Sequence, residues 1–426
     1  MIDKMRLEAV PGRRASGGPI GVLKPRLAIL HYSAAPVVGG VETVIDAQAR
    51  HLRRAGYDVR VVAGRGGATI VPEMDSRHPE VQQAIKEAGP GCPTNPALER
   101  LQRRLDEKLR AVLADRDLVI AHNVMTMPFN PALTAAVGEI SKPLIAWTHD
   151  FDFAGHIPTA TRRADMTFVA ISRTRQQELA RALGLPRETI RYVPNGVDRF
   201  DLAGLGKRTL ELLRSTGLED ADPLLLVPQR VTPRKRIELV IDAAHELAQD
   251  LPDLGVVITG PPDPHQPWVD GYADGLLERR RGLGLEGVVR FLFESGAAAG
   301  EHPVGSCEVA DLYRVSDVAV MPSESEGFGL PILETALTRV PLVCTDIPVL
   351  REVGGESLHT FPADSGPTDV ADAVRRALAT PAVRRRREVL STYGWPGVLE
   401  KTEAALQAAW QGPAIDADLA SGAAAL

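Results

Sequence analysis

Cysteine is scarce in this 426-residue chain, which has only Cys92, Cys307 and Cys344. The three residues are far apart, odd in number and without a C-x-x-C pair, so the sequence predicts neither a disulfide framework nor a zinc site. Free thiols of this kind are typical of a reducing compartment. We therefore expect a cytoplasmic protein.

Long hydrophobic runs and an excess of basic charge are also missing. No apolar run approaches the roughly 18 residues that a membrane-spanning helix requires, and residues 1–26 lack the apolar core of a signal peptide. The formal net charge is −6, with 49 Lys and Arg against 55 Asp and Glu, which gives no overall basic field for nucleic acid or anionic lipid. The sequence predicts no membrane span and no nucleic-acid partner, and it leaves the oligomeric state open.

Two phosphate-binding motifs are absent from the positions after strand-like runs, where they would indicate a nucleotide site. Neither G-x-G-x-x-G nor G-x-x-x-x-G-K-[ST] follows a strand-like run, which argues against a dehydrogenase and a P-loop phosphotransferase. The overall composition is nevertheless that of a folded protein, with 44% hydrophobic and 24% charged residues. At about 150 residues per domain, the length allows two or three domains.

Short apolar runs alternate with helix-like stretches from residue 26 onward, the pattern of a parallel sheet covered by helices on both faces. We predict an α/β fold of two successive doubly wound halves, with the boundary in the polar, turn-rich segment 195–223. Strands are predicted at 26–32, 58–64, 118–122, 143–149, 167–172, 190–194, 224–230, 256–260, 288–294, 318–323, 341–345 and 358–361. A ligand is expected between the halves, at the carboxyl ends of the strands.

The predicted domains follow from this pattern. They are a disordered tail (1–23), an N-terminal Rossmann-like domain (24–198), a C-terminal Rossmann-like domain (199–392), a C-terminal helix that packs back toward the N-terminal domain (393–411) and a flexible tail (412–426).

The most informative segment is SESEGFGLPILETAL at 323–337, which directly follows an apolar strand. Its glycines, Gly327 and Gly329, free the backbone to expose amide groups at a helix start, where an anion or a sugar oxygen can bind. Glu326 and Glu334 supply carboxylates that can accept hydrogen bonds from hydroxyl groups. The same pattern also fits an ordinary strand-turn-helix with two solvated glutamates.

Two other loops follow strands and carry candidate ligand-binding groups. The segment PQRVTPRKR at 228–236 places Arg230 and Lys235 near a strand end, and such a pair suits a diphosphate. Charge runs of this kind are also common on solvated surfaces. Gly39 and Gly40 follow the first strand, where glycine lets the backbone approach a ligand at a helix start.

Five motifs, taken together and in this order, resemble the family 4 retaining glycosyltransferases of the GT-B fold. They are GGVE at 39–42, THD at 148–150, VPNGVD at 193–198, Arg230 with Lys235 five residues on, and EGFGLPILE at 326–334. The similarity covers about residues 26–410. It implies two Rossmann-like domains that face each other across a cleft, the second for the donor and the first for the acceptor.

The resemblance also implies roles for residues of the second half. Arg230 and Lys235 look like the pair that binds the diphosphate of a nucleotide-sugar. Glu326 looks like the glutamate that holds donor-sugar hydroxyls, and Glu334 like the one that takes the ribose hydroxyls. The donor is also expected to meet the backbone of a short glycine-containing run, namely Gly327, Phe328, Gly329 and Leu330.

In the first half, Gly39 and Gly40 resemble the glycine loop that approaches the donor phosphates. His149 resembles the histidine near the anomeric carbon and the acceptor, with Asp150 beside it on the acceptor side. A lone histidine at a strand end is otherwise more often structural. The family likeness implies no cofactor and no metal, because the nucleotide-diphosphate sugar is a co-substrate.

Two departures from the family pattern affect the donor site. Gln229 and Arg236 stand where the family commonly has glycine, and Arg234 adds a further cation, so Arg234, Lys235 and Arg236 are all candidates for the diphosphate. The segment 295–310 is long for the loop near the nucleotide base, and the base cannot be deduced from it.

The function expected from these residues is retaining transfer of a hexose-type sugar from a nucleotide-diphosphate sugar to a small soluble acceptor, such as a sugar, a sugar phosphate or a secondary metabolite. Front-face attack, with the leaving phosphate accepting the acceptor's proton, is implied by the family alone. One alternative is a metal-dependent GT-A-type transferase, because Asp150-Phe151-Asp152 has the form of a D-x-D metal site. Another is a non-catalytic nucleotide-sugar-binding protein on the same fold.

Overall fold

The computed structural model of the chain describes residues 24–67, 69–88, 95–127, 129–150, 163, 165–262, 269–295 and 304–411. The described residues divide into two compact units: the first contains residues 24–197 together with 392–411, and the second runs from Asp198 to Ser391. Several sequence predictions lie outside the described residues, namely the two tails, Cys92, Asp152 and positions 296–303 of the long loop.

The first unit is built on seven parallel strands in the order β3-β2-β1-β4-β5-β6-β7. These strands are β1 (Leu27–His31), β2 (Val59–Ala63), β3 (Thr69–Ile70), β4 (Leu118–His122), β5 (Leu144–Thr148), β6 (Thr167–Ala170) and β7 (Arg191–Tyr192). Its helices are α1 (Gly40–Arg54), α2 (Pro79–Ala88), α3 (Pro96–Val112), α4 (Pro131–Gly138), α5 (Arg173–Leu183) and the C-terminal α15 (Trp395–Gln411).

The second unit has six parallel strands in the order β10-β9-β8-β11-β12-β13. They are β8 (Leu224–Val227), β9 (Gly255–Ile258), β10 (Val289–Phe291), β11 (Val318–Met321), β12 (Leu342–Thr345) and β13 (His359–Phe361). The helices are α6 (Arg199–Ala203), α7 (Lys207–Ser215), α8 (Ile237–Leu247), α9 (Val269–Gly282), α10 (Ser306–Val315), α11 (Leu330–Thr338), α12 (Pro348–Gly354), α13 (Pro367–Leu378) and α14 (Pro381–Tyr393).

The central strands are continuous apolar runs because helices bury both of their faces. All five residues of β1, β4 and β5 are buried, as are all four of β8 and β11. Residues that alternate along these strands therefore fall into separate cores on the two faces of each sheet. The predicted α/β class with two doubly wound halves is confirmed. Among the described residues, no helix combines the length and apolarity needed to span a membrane.

Several predicted strands are too long, and proline explains the two that matter most. Strands β8 and β11 end at Val227 and Met321, whereas the sequence predicted 224–230 and 318–323. Pro228 and Pro322 follow directly, and proline has no N–H for the next ladder bond. After each of these two strands the chain therefore leaves the sheet and enters a loop.

Two further strand predictions need correction, and one short strand at a sheet edge was missed. The predicted strand 288–294 ends at Phe291 and continues as a 3-10 turn over Leu292–Glu294, while 190–194 shortens to Arg191–Tyr192. Strand β3 was not predicted, because it has only two residues and both are exposed, so it carries no apolar signal.

The C-terminal helix α15 belongs to the first unit. Trp395 stacks on His51 of α1, with ring centroids 4.6 Å apart, and Leu406 lies in the same core as strands β1 and β4. A β-bridge joins Val197 to Gly394 just before the helix. A Cβ on Gly196 would lie 2.6 Å from the Trp395 ring, so glycine is required there for this close packing.

Both sheets reverse their strand order at one point, between β1 and β4 in the first unit and between β8 and β11 in the second. In such sheets the chain leaves neighbouring strands in opposite directions at this point, which opens a crevice at their carboxyl ends where ligands bind. The loops after these four strands carry most of the residues that the sequence singled out.

Candidate functional site

The carboxylate of Glu326 is the centre of the site in the second unit. Its Oε1 accepts hydrogen bonds from Ser323 Oγ at 2.6 Å, from Gln229 Nε2 at 3.0 Å and from the Lys235 ammonium. The Glu326 side chain is only 8% exposed. One oxygen of a nearly buried carboxylate is thus fully occupied by donors from the protein.

This cluster forms because β8 and β11 are neighbours in the sheet. Gln229 and Lys235 lie in the loop after β8, and Ser323 and Glu326 lie in the loop after β11. The loops are also joined through their backbones, since the Glu324 N–H donates to the carbonyl of Arg234 at 2.9 Å. The switch point of the second sheet therefore places these side chains together.

Of the three adjacent cations, two lie beside Glu326. Lys235 is buried, which lowers the pKa of its ammonium group, while the hydrogen bond and charge of Glu326 oppose that shift. Arg234 Nη1 donates to the carbonyl of Ser325 at 3.0 Å and lies 3.8 Å from Glu326 Oε2. The Arg236 guanidinium instead donates to the carbonyls of Ala363 and Ser365.

Arg230 is exposed at the start of the same loop, and its backbone is held by the neighbouring strand end. The Gly260 N–H donates to the Gln229 carbonyl at 3.1 Å, and the Val231 N–H donates to the Pro261 carbonyl at 3.1 Å. A Cβ on Gly260 would lie 2.5 Å from the Arg230 Cα. Only glycine permits this approach of the two backbones.

The loop after β11 leads into helix α11 through Gly329. This residue has φ +87°, and a Cβ on it would lie 2.8 Å from Leu350 Cδ2, so both conformation and space require glycine. Leu330 and Pro331 begin the helix, and the Ile332 N–H donates to the Gly329 carbonyl at 2.9 Å. Such a helix start is favourable for an anion. The side chains of Phe328 and Leu330 are exposed there.

Glu334 lies on α11 and is oriented by a tyrosine of the preceding helix. The Tyr313 hydroxyl donates to Glu334 Oε2 at 2.6 Å. Burial raises the pKa of Tyr313, and the Glu334 carboxylate raises it further, so the hydroxyl keeps its proton and remains a donor. Glu334 itself is exposed and accessible to a ligand.

In the first unit, His149 is part of a chain of hydrogen bonds at the ends of adjacent strands. His149 Nε2 lies 2.8 Å from His122 Nδ1, and His122 Nε2 lies 3.0 Å from Gln48 Oε1. The His149 backbone N–H donates to Asn123 Oδ1 at 2.8 Å. Asn123 has φ +59°, a left-handed conformation that asparagine tolerates.

These imidazoles are neutral at pH 7. Burial lowers the pKa of His149 to about 3, with a further contribution from His31, and it holds the pKa of His122 far below its usual value. Because the Gln48 carbonyl oxygen accepts the Nε2 proton of His122, His122 Nδ1 is an acceptor for the Nε2 proton of His149. The chain of hydrogen bonds leaves His149 Nδ1 as a lone-pair acceptor.

Gly39 and Gly40 lie at the start of α1, after β1. A Cβ on Gly40 would meet nothing within 4 Å, and one on Gly39 would meet the flexible carboxylate of Glu42. Glu42 Oε1 accepts a hydrogen bond from Ser33 Oγ at 2.5 Å. No packing within the unit therefore requires glycine at position 40, so the residue leaves open space above the backbone.

Two family models match the chain, and each falls on one of the sheets. Residues 38–199 match Glycosyltransferase Family 4, and residues 210–394 match Glycosyl transferases group 1. Together the two matches span most of the sequence and include both groups of residues described above. The chain belongs to glycosyltransferase family 4. The predicted resemblance is confirmed.

Relatives of this glycosyltransferase carry several names. The D-inositol 3-phosphate glycosyltransferase of Kineococcus radiotolerans is 26% identical over 88% of this chain and 94% of that protein. The D-inositol 3-phosphate glycosyltransferase of Geodermatophilus obscurus is 33% identical over 53% and 48%, and the alpha-D-kanosaminyltransferase of Streptomyces kanamyceticus is 30% identical over 53% and 54%. The chain thus spans nearly all of the first relative and about half of the other two.

The GT-A-type alternative is wrong, because two doubly wound units and the family match account for the fold of the glycosyltransferase. The Asp150 carboxylate is 55% exposed and forms an ion pair with Arg175 at 3.2 Å. In the part of the chain that the structure describes, no group of three or more His, Cys, Asp and Glu is placed to hold a metal ion.

Sequence reasoning missed several residues of this glycosyltransferase and noted Gln229 only as a departure. Ser323 and His122 lie at or just after the carboxyl ends of central strands, a position that could have identified them. Gln48 and Tyr313 lie within helices and give no such signal, because a polar group facing a site cannot be distinguished there from one on an ordinary helix face.

Proposed function

We propose that this glycosyltransferase moves a hexose-type sugar, with retention, from a nucleotide-diphosphate sugar to a small soluble acceptor. One observation carries the proposal: the buried Glu326 carboxylate lies beside the Lys235 ammonium at the switch point of the second sheet, next to the start of α11. The relative named D-inositol 3-phosphate glycosyltransferase supports a small phosphorylated acceptor such as a sugar phosphate, and the relative named alpha-D-kanosaminyltransferase supports transfer of a hexose-type sugar.

The diphosphate is proposed to bind the cations of the loop after β8. Lys235 supplies a mobile ammonium and Arg230 a planar guanidinium, while Arg234 adds charge on the exposed side of Glu326. The amides of 327–330 add dipoles at the helix start. These charges and dipoles are proposed to stabilise the leaving diphosphate without a divalent ion.

The two glutamates are proposed to recognise the two sugars of the donor. Glu326 Oε1 is already occupied, which leaves Oε2 to accept from hydroxyls of the transferred sugar. Glu334, held by Tyr313, takes the ribose hydroxyls. A carboxylate that meets two hydroxyls suits a hexose better than a deoxygenated sugar.

The first unit is proposed to bind the acceptor through His149 and Asp150, and to contribute Gly39 and Gly40 to the donor phosphates. Neutral His149 offers a lone pair at Nδ1 to a hydroxyl and cannot act as an acid near pH 7. The open space at Gly40 would allow a ligand to approach the backbone closely.

Retention is proposed to arise by front-face attack. The acceptor oxygen forms its bond to the anomeric carbon as the bond to the leaving phosphate oxygen breaks, and that phosphate oxygen takes the acceptor's proton. This route requires no protein nucleophile. Catalysis by this route depends on Lys235, Arg230 and the helix start, which stabilise the negative charge that develops on the leaving phosphate.

Thermal-shift screening of nucleotide-sugars tests the donor assignment, because a ligand at 100 times its dissociation constant stabilises a protein by about 2.7 kcal/mol. Mass spectrometry of donor mixed with candidate acceptors then tests transfer. Binding without any hydrolysis or transfer would favour the remaining alternative, a non-catalytic nucleotide-sugar-binding protein. The scarcity of cysteine supports a cytoplasmic location as part of the proposal.

A further inference from the structure

Gln229 occupies the donor site and donates a hydrogen bond to the carboxylate proposed to hold the donor sugar. We propose that Gln229 and Ser323 are positioning residues, which keep Glu326 directed at the sugar when Lys235 turns to the diphosphate. The inference rests on the proposed function and assigns a role in sugar recognition to two uncharged side chains.

The need for such residues follows from what Lys235 does before the donor binds. Its ammonium group is bound to Glu326 Oε1 and is largely buried. A diphosphate brings more negative charge than one carboxylate, so the ammonium on its flexible stem is drawn toward it. Glu326 then loses its charged partner, and a carboxylate without other contacts would follow the ammonium or turn to solvent.

The two neutral donors prevent this movement. The Gln229 amide nitrogen donates to Ser323 Oγ at 2.7 Å and to Glu326 Oε1 at 3.0 Å, and Ser323 Oγ donates to the same Oε1 at 2.6 Å. The three side chains form a closed triangle of hydrogen bonds. An amide and a hydroxyl carry no net charge, so the diphosphate does not pull them away as it pulls an ammonium group.

Both residues are rigidly placed. Gln229 is 5% exposed and Ser323 is fully buried, and each lies one residue beyond the proline that ends a central strand. The backbone carbonyl of Gln229 is held by the Gly260 N–H. Oε1 of Glu326 is therefore fixed from the sheet side, and Oε2 lies toward the exposed Arg234.

The test compares nucleotides with and without the transferred sugar, and it reads the change in their affinity ratio between variants. Calorimetry measures the affinities of matched pairs, UDP with UDP-glucose, GDP with GDP-mannose and ADP with ADP-glucose, for wild type, Gln229→Ala, Ser323→Ala and Lys235→Ala. Gln229→Ala and Ser323→Ala are each expected to weaken the nucleotide-sugar about tenfold, the lower range for a hydrogen bond to a charged group, and to leave the sugar-free nucleotide unchanged. Lys235→Ala is expected to weaken both ligands.

Two controls separate positioning from folding. Gln176→Ala removes another glutamine that is 5% exposed, from the first unit, and is expected to leave the ratio of the two affinities unchanged. In a Glu326→Ala background, Gln229→Ala is expected to have no further effect on nucleotide-sugar affinity, because its target is gone. Thermal melts check that each variant is folded.

Distinct results would overturn the proposal. If Gln229→Ala weakens the nucleotide and the nucleotide-sugar equally, Gln229 acts through the loop and not through the sugar contact of Glu326. The same conclusion follows if its effect persists without Glu326. If the wild-type protein binds none of the nucleotide-sugars, the proposed function fails and this inference fails with it.

Discussion

His122 Nδ1 and His149 Nε2 lie 2.8 Å apart at the carboxyl ends of the adjacent strands β4 and β5. Gln48 fixes the far side of His122, so the tautomer of His149 is determined through His122 by a glutamine on α1. Burial keeps both rings neutral. The charge and the tautomer of His149, which is proposed to bind the acceptor substrate, are therefore set by packing within the first unit.

The first prediction concerns acid stability. Burial lowers the pKa of His31, His122 and His149, so the unfolded chain binds more protons than the folded one below the usual histidine pKa of about 6.5. Their stabilising contribution is complete above pH 6.5 and is lost as pH falls toward 3. We expect the free energy of unfolding of the first unit to drop by up to about 4 kcal/mol per pH unit below pH 6.

Denaturant titrations between pH 5 and 7.5 measure this slope. His149→Asn should reduce it by roughly one third, because one of three shifted groups is removed. His245→Asn, which removes an exposed histidine of α8 in the second unit, is the matched control. A wild-type slope near zero would mean that these imidazoles are not buried in solution.

The second prediction separates donor binding from transfer. His149→Ala should reduce transfer much more than nucleotide affinity, because His149 belongs to the first unit and the cations proposed to bind the diphosphate belong to the second. Calorimetry with the nucleotide measures the affinity of the variant, and a transfer assay on the same variant measures its rate of transfer. Equal losses in both, or an unfolded variant, would return His149 to a structural role.

The third prediction addresses the charged pair. Glu326→Ala and Lys235→Ala should each lower turnover about 100- to 1,000-fold, the usual loss when one group that stabilises developing charge is removed. Circular dichroism should show an intact fold for both. Rates close to wild type in the two variants would refute the assignment of this site.

Metal independence is the fourth prediction. Arg230, Arg234 and Lys235 are proposed to supply positive charge for the diphosphate, so dialysis against EDTA should leave the initial rate of transfer largely unchanged. The measurement compares rates before and after chelation, with and without added Mg²⁺ or Mn²⁺. A complete loss that either ion restores would contradict it.

The fifth prediction tests the backbone that carries Arg230. Gly260→Ala places a Cβ 2.3 Å from the Gln229 carbonyl oxygen and 2.5 Å from the Arg230 Cα, so the loop must move. Nucleotide affinity should fall at least tenfold, because a displaced loop misplaces its charged and polar groups. Gly275→Ala is the matched control: its Cβ meets nothing within 4 Å, and removing a helix glycine should stabilise the protein by about 0.5–1 kcal/mol. Unchanged affinity in Gly260→Ala would show that the loop adapts.

The sequence was sufficient to predict the architecture. Strands buried on both faces are continuous apolar runs, such as LAILH in β1 and LVIAH in β4, and these are readable without any partner. The order of the motifs identified the family, because each lies at a strand end or in the loop and helix start that follow a strand. Thr69–Ile70 escaped prediction because an exposed pair of residues at a sheet edge has no apolar pattern.

Only the tertiary structure decided which side chains meet. Gln229 and Glu326 are 97 positions apart in sequence, and they touch because the sheet order makes β8 and β11 neighbours. Three consecutive cations look alike in the sequence, yet Arg234 and Lys235 lie beside Glu326, whereas Arg236, with φ +50°, points to Ala363 and Ser365. Sequence patterns report burial and turns, whereas the direction of a polar side chain depends on strand order, backbone dihedral angles and the partners that folding brings within hydrogen-bonding distance.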